Sequence, residues 1–112
     1  MRKIFTLREH IYREGEYLIG SEATGSHACY LIYGVLKRGD RRTITPGKGH
    51  EEILAVIEGL ITVNENGEEY SLSKGQAVHL KDEETITISV DESQFAIYVL
   101  AGGHSDAGYH HH

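Results

Sequence analysis

The sequence predicts an all-β chain of roughly eight to ten short strands, packed as a sandwich or barrel. Three observations carry this. Turn signals recur about every eight to twelve residues along most of the chain. The run Thr85-Ile86-Thr87-Ile88-Ser89-Val90 alternates between polar and apolar, the period of a strand with one buried face. No segment makes a helix of useful length; the best candidate, Leu7 to Gly15, is short, charged and ambiguous.

The elements follow in chain order. Cys29 to Leu36 is rich in aromatic and aliphatic residues and ends at the turn pair Gly39-Asp40, after which Arg42 to Thr45 returns. Pro46-Gly47 breaks the chain. Glu52 to Ile57 is the next strand, closed by Glu58-Gly59. Leu60 to Glu65 and Glu68 to Leu72 flank Asn66-Gly67, a strong short-range hairpin signal. Ser73-Lys74-Gly75 turns into Ala77 to Leu80, and the polar loop 81–84 leads to the alternating run at 85–90. Asp91 to Gln94 turns again, and Phe95 to Leu100 is the last strong strand. Residues 102–112 have no apolar face and read as a flexible tail behind a single domain spanning residues 1–101.

Length and composition narrow the function. A chain of 112 residues builds one core but not two. Charged residues make up 25% and hydrophobic ones 39%, ordinary for a soluble globular protein. The formal net charge of -6 argues against nucleic acid as a partner, because phosphate binding needs a basic face. No apolar run approaches the ~20 residues that cross a bilayer, and no signal peptide is visible at the N-terminus. Cys29 is the one cysteine; it cannot form an intrachain disulfide and reads as a small buried hydrophobe in a reduced, cytoplasmic setting.

The stretch from Thr43 to Gly75 resembles the cupin superfamily. Thr45-Pro46-Gly47 stands where cupin first motifs turn, and Glu51 to Gly59 looks like the strand carrying that motif's glutamate, here Glu52. The Asn66-Gly67 hairpin and Leu72-x-x-Gly75 follow the spacing between the two motifs, and the resemblance covers residues 30–100. It implies a double-stranded β-helix, the cupin jelly-roll barrel. It also implies a divalent transition metal (Mn, Fe, Ni, Zn or Cu) held by imidazoles and a carboxylate. Here the motifs are degenerate. The His-x-His positions fall on Thr45 and Gly47, or on Pro46 and Lys48. In the second motif the usual Pro falls at Lys81, the usual Gly at Glu83 and the ligand His at Ile86. Of the four expected ligands, only Glu52 stands in register.

Several sites remain in play. Two residues apart on a strand, His50 and Glu52 share a face, and His79 completes a rebuilt metal site only if its local register shifts. The alternatives are a loop role for His50, an ion pair of Glu52 with Lys48 or Arg42, and a solvent-facing His79. A carboxylate inside an apolar barrel needs a partner, a metal or water. The tyrosines Tyr30, Tyr33 and Tyr98 read as core or interface residues whose hydroxyls reach a partner. The terminal His104, His110, His111 and His112 form a His-rich tract of the kind that binds Ni, Cu or Zn, unless they are the remnant of a purification tag.

The favoured function is small-molecule binding inside the barrel, with Glu52 as the polar handle and Leu54, Val56, Ile86 and Ile88 as the pocket wall. One alternative is a metal-dependent enzyme of isomerase or dioxygenase type using His50, Glu52 and His79. Another is Ni, Zn or Cu storage or delivery through the tail. The run Glu52 to Ile57 also shows two apolar faces, Ile53, Ala55 and Ile57 against Leu54 and Val56. One barrel interior cannot bury both sets, which predicts a homodimer.

Overall fold

The computed structural model describes residues 1–11, 13 and 15–105. It contains nine strands: β1 (Gly15–Ile19), β2 (Cys29–Lys37), β3 (Arg41–Ile44), β4 (His50–Glu58), β5 (Leu60–Glu65), β6 (Glu68–Ser73), β7 (Ala77–Leu80), β8 (Ile86–Ser89) and β9 (Phe95–His104). One helical turn, α1 (Ser21–Thr24), joins β1 to β2, and a 3-10 turn occupies Leu7–His10. Five strands form one sheet in the order β1-β2-β9-β4-β7, and four form the other in the order β3-β8-β5-β6. All the pairings are antiparallel. Among the described residues, no helix is long and apolar enough to cross a membrane.

Alternation places the core between the sheets. On β4, Glu52, Leu54 and Val56 point inward while Glu51, Ile53 and Ala55 point outward. Leu54, Val56, Tyr98 and Leu100 of one sheet pack with Ile61, Val63, Ile86 and Ile88 of the other in a single cluster. Asn66 and Gly67 form the β5–β6 turn, both with positive φ (52° and 84°), as a tight two-residue hairpin requires.

Three local expectations change. The region 7–15 holds a 3-10 turn followed by β1, which supplies an edge strand against β2. The last strand continues through Gly102 and Gly103 to His104, paired with β2 on one side and β4 on the other, so the expected start of a tail at residue 102 falls inside β9. Cys29, expected to be buried, is an exposed free thiol at the start of β2. His110, His111 and His112 lie outside the described residues.

The N-terminal segment has a packing role. Leu7 and Ile11 rest against a second cluster of Tyr33, Val35 and Ile97 on the outer face of the five-stranded sheet, with Tyr17, Phe95 and Val99 around it. His10 stacks on Tyr17 with ring centroids 4.0 Å apart. This cover leaves Ile53 (48% exposed) and Ile57 (46% exposed) on β4 open.

Candidate functional site: the mouth of the barrel

Glu52 is the polar group of the interior. It is 6% exposed and sits on the inner face of β4, where its Cα pairs with Gly102 of β9, which in turn pairs with Tyr30 of β2. Gly102 has no side chain, so the Tyr30 ring lies across it; a Cβ there would run into the ring. The Tyr30 hydroxyl thereby reaches over one strand and donates to Glu52 Oε2 at 2.5 Å. Glu52 Oε1 is buried and has no hydrogen-bond partner. Desolvation, then the bond to Glu52, pushes the Tyr30 phenol well above its usual range, so it remains a donor.

The same device recurs deeper in the sheet. Tyr98 of β9 lies over Gly34 of β2 and donates to Glu16 Oε2 of β1 at 2.7 Å. Arg42 Nη1 donates to the Tyr98 hydroxyl, and its guanidinium stands 5.8 Å from the ring centre. Arg42 therefore serves Tyr98, and neither Arg42 nor Lys48 takes the place expected of it beside Glu52; Tyr30 does.

Two histidines stand above Glu52. His50 opens β4 and faces His104 of β9 in direct register, with ring centroids 5.0 Å apart and planes at 46°. The Tyr30 ring meets His50 edge-on at 5.8 Å. His50 Nδ1 donates to the Lys48 carbonyl at 3.2 Å, and His104 Nε2 donates to the His27 carbonyl at 2.5 Å. Beside them lies a cavity of about 340 Å³, lined by Leu18, His27, Cys29, Tyr30, Ile32 and His50 together with residues of the β1–β2 connection.

The structure sorts the expected site residues. His50 and Glu52 share the inner face, as spacing predicts. His79 does not join them: it pairs in register with Ile53, on the outer face, and bonds Glu51 Oε1 at 2.7 Å. The period of two decides this, since Glu51 and Glu52 point to opposite sides. The His79 hydrogen bond, with a second from Ser105, holds the Glu51 carboxyl below its usual range. Leu54, Val56, Ile86 and Ile88, expected as pocket wall, are 0–1% exposed and pack in the closed core, so they present no surface to a solvent-open pocket. Glu83, where cupins place a glycine, adopts a positive φ of 66°, the conformation glycine would supply there.

The cupin metal therefore has no fitting donor set here. Ile86 replaces the second-motif ligand within the core, Glu52 Oε2 is taken by Tyr30, and His79 faces outward. Among the described residues, no three His, Cys, Asp or Glu side chains gather as a metal cluster.

Solved structures share this architecture. A cupin 2 conserved barrel domain protein from Salinispora arenicola superposes with a TM-score of 0.76 at 13% identity, covering 94% of this chain and 91% of its own. The fold is that of the cupins. A cupin protein from Bacteroides fragilis matches with a TM-score of 0.75 at 14% identity, covering 99% of this chain and 88% of its own. An uncharacterized conserved protein with a double-stranded β-helix domain from Klebsiella pneumoniae matches at 0.74 and 16% identity, over 96% of this chain and 95% of its own. No family model matches the sequence, and no curated protein matches it.

Sequence reasoning missed two members of the mouth. In the sequence Tyr30 reads as a core or interface residue with no named partner, and His104 reads as part of the tail. One signal bears on both: glycine inside a strand marks a close approach, and Gly102-Gly103 follows the last apolar run directly.

Proposed function

We propose that this cupin barrel binds a small organic molecule at its mouth, in the cavity beside Tyr30 and His50. The observation that carries the reading is Glu52: a carboxyl more than nine-tenths buried, held at one oxygen by Tyr30, with the other oxygen unpartnered. Glu52 does not itself line the cavity; Tyr30, which holds it, does, and since buried acceptors are ordinarily satisfied, the unpaired oxygen behind Tyr30 is a place for a water or for the donor of a ligand that displaces it. Leu18 and Ile32 supply apolar wall, and His27, His50 and Tyr30 line the same cavity. The ligand class is thus a compact apolar body carrying an N–H or O–H group.

Titrating 15N-labelled protein with cyclic and aromatic amines and alcohols tests this. The expected result is amide shifts concentrated at residues 18, 27–32 and 50, weakened by Glu52→Leu. Shifts scattered over the surface, or none at millimolar probe, would overturn it.

The second element of the proposal is a homodimer through the outer face of β4. Ile53 and Ile57 remain about half exposed there while the chain's own N-terminal segment covers the adjacent part of the same sheet. Glu58 at the end of β4 pairs with Lys74 of the β6–β7 turn, which puts both signs of charge at the rim of this face for a two-fold-related copy to match. An exposed free Cys29 suits a reducing, cytoplasmic compartment.

A further inference from the structure

We infer that His50 and His104 together bind a transition-metal ion of the zinc, nickel and copper group, through a donor set that is not the cupin one. Three observations carry this. First, the two residues are Cα partners across β4 and β9, which places both side chains on one face with their rings 5.0 Å apart. Metal–nitrogen bonds to imidazole are about 2.0–2.1 Å, so each ring centre lies about 3.2 Å from a shared ion; at a tetrahedral angle the two centres stand about 5 Å apart. The rings already have that separation.

Second, each ring has one nitrogen fixed by a backbone carbonyl: His50 Nδ1 by Lys48, and His104 Nε2 by His27. A carbonyl only accepts, so these nitrogens carry the protons. His50 Nε2 and His104 Nδ1 are then the nitrogens with free lone pairs. A ring N–H donated to a backbone carbonyl is the usual outer-shell support of a metal-ligating histidine. Third, Glu52 lies two residues along the same face, with a buried oxygen that no protein donor satisfies. Glu52 is not a ligand; water bound to an ion at the two rings has this acceptor on the same face to donate to.

No third ligand of the described residues completes a cluster, so the ion keeps open positions. His50 also lines the mouth cavity, and those positions are available to water or to a molecule held there. Neutral imidazole nitrogens select zinc, nickel and copper over magnesium or calcium. The site stands whether or not an organic molecule occupies the cavity.

The test uses the full chain with His110→Ala, His111→Ala and His112→Ala, which silences the terminal histidines, and zinc chloride as probe. Calorimetry gives the affinity, and 15N spectra of the imidazoles give the ligands. Stoichiometric binding is expected, with ring signals of His50 and His104 shifting together. Loss of a mere outer-shell partner costs about ten-fold or more in affinity, so His50→Gln or His104→Gln should each weaken zinc at least about ten-fold. His79→Gln should leave it unchanged. If either glutamine variant unfolds by circular dichroism, the ring shifts in the parent decide. No zinc uptake, unchanged affinity in a folded His104→Gln, or shifts at His79 or His10 instead would overturn the inference.

Discussion

Replacing Tyr30 with Phe deletes one hydroxyl and leaves the ring in place over Gly102. Among the described residues the hydroxyl is the one hydrogen-bond donor to Glu52, whose other oxygen has none. Loss of a hydrogen bond to a charged group costs about 1.5–3 kcal/mol, and here the acceptor left behind is 6% exposed, which favours the upper half of that range. The expected loss is therefore about 2–3 kcal/mol. For a domain of this size that corresponds to a fall in Tm of about 10 °C. Urea unfolding at neutral pH, followed by circular dichroism because the chain has no Trp, measures it; the slope with urea should stay unchanged. The companion Glu52→Leu background should shrink the effect of Tyr30→Phe, with a coupling of about 1–2 kcal/mol. A cost below about 0.5 kcal/mol, equal in both backgrounds, would refute the reasoning and mean that water already satisfies the carboxyl.

Three further outcomes are expected. Gly102→Ala and Gly34→Ala each thrust a Cβ into a tyrosine ring and should destabilise by about 1–3 kcal/mol from overpacking, plus the lost Tyr–Glu bond. The Gly102→Ala cost should fall sharply when Tyr30 is also Ala, which thermal denaturation of the double variant checks. In alkali, Tyr98 and Tyr30 are both held protonated in the folded state by desolvation first and by their Glu16 and Glu52 bonds next. The folded chain then binds more protons than the unfolded one above about pH 10, so stability should fall as pH rises through that point. Urea midpoints across that range, alongside tyrosinate absorbance, read this; a flat midpoint would contradict the burial of both phenols. Size-exclusion with light scattering should give twice the chain mass, and Ile53→Glu should return it to one; a parent at monomer mass would remove the dimer.

The cupin fold was legible because its signals are local and repeated. The alternation at 85–90, the Asn66-Gly67 turn and the apolar runs of β2, β4 and β9 need no tertiary information. Other elements are strands only because of their neighbours. β1 is short, and what defines it is the free edge of β2 against which it pairs. Gly102 and Gly103 have poor strand propensity, yet β2 and β4 flank them and bond both their edges.

The site follows the same division. By itself the sequence determined that His50 and Glu52 share a face and that Leu54 and Val56 oppose Ile53. Only the tertiary structure decided which groups meet. It set Tyr30 across Gly102 onto Glu52, brought His104 opposite His50 over more than fifty intervening residues, and turned His79 away to Glu51. The physical reason is that strand period fixes the side of the sheet on which a residue lies, whereas inter-strand register fixes its neighbour, and register is a property of pairs of strands far apart in the chain.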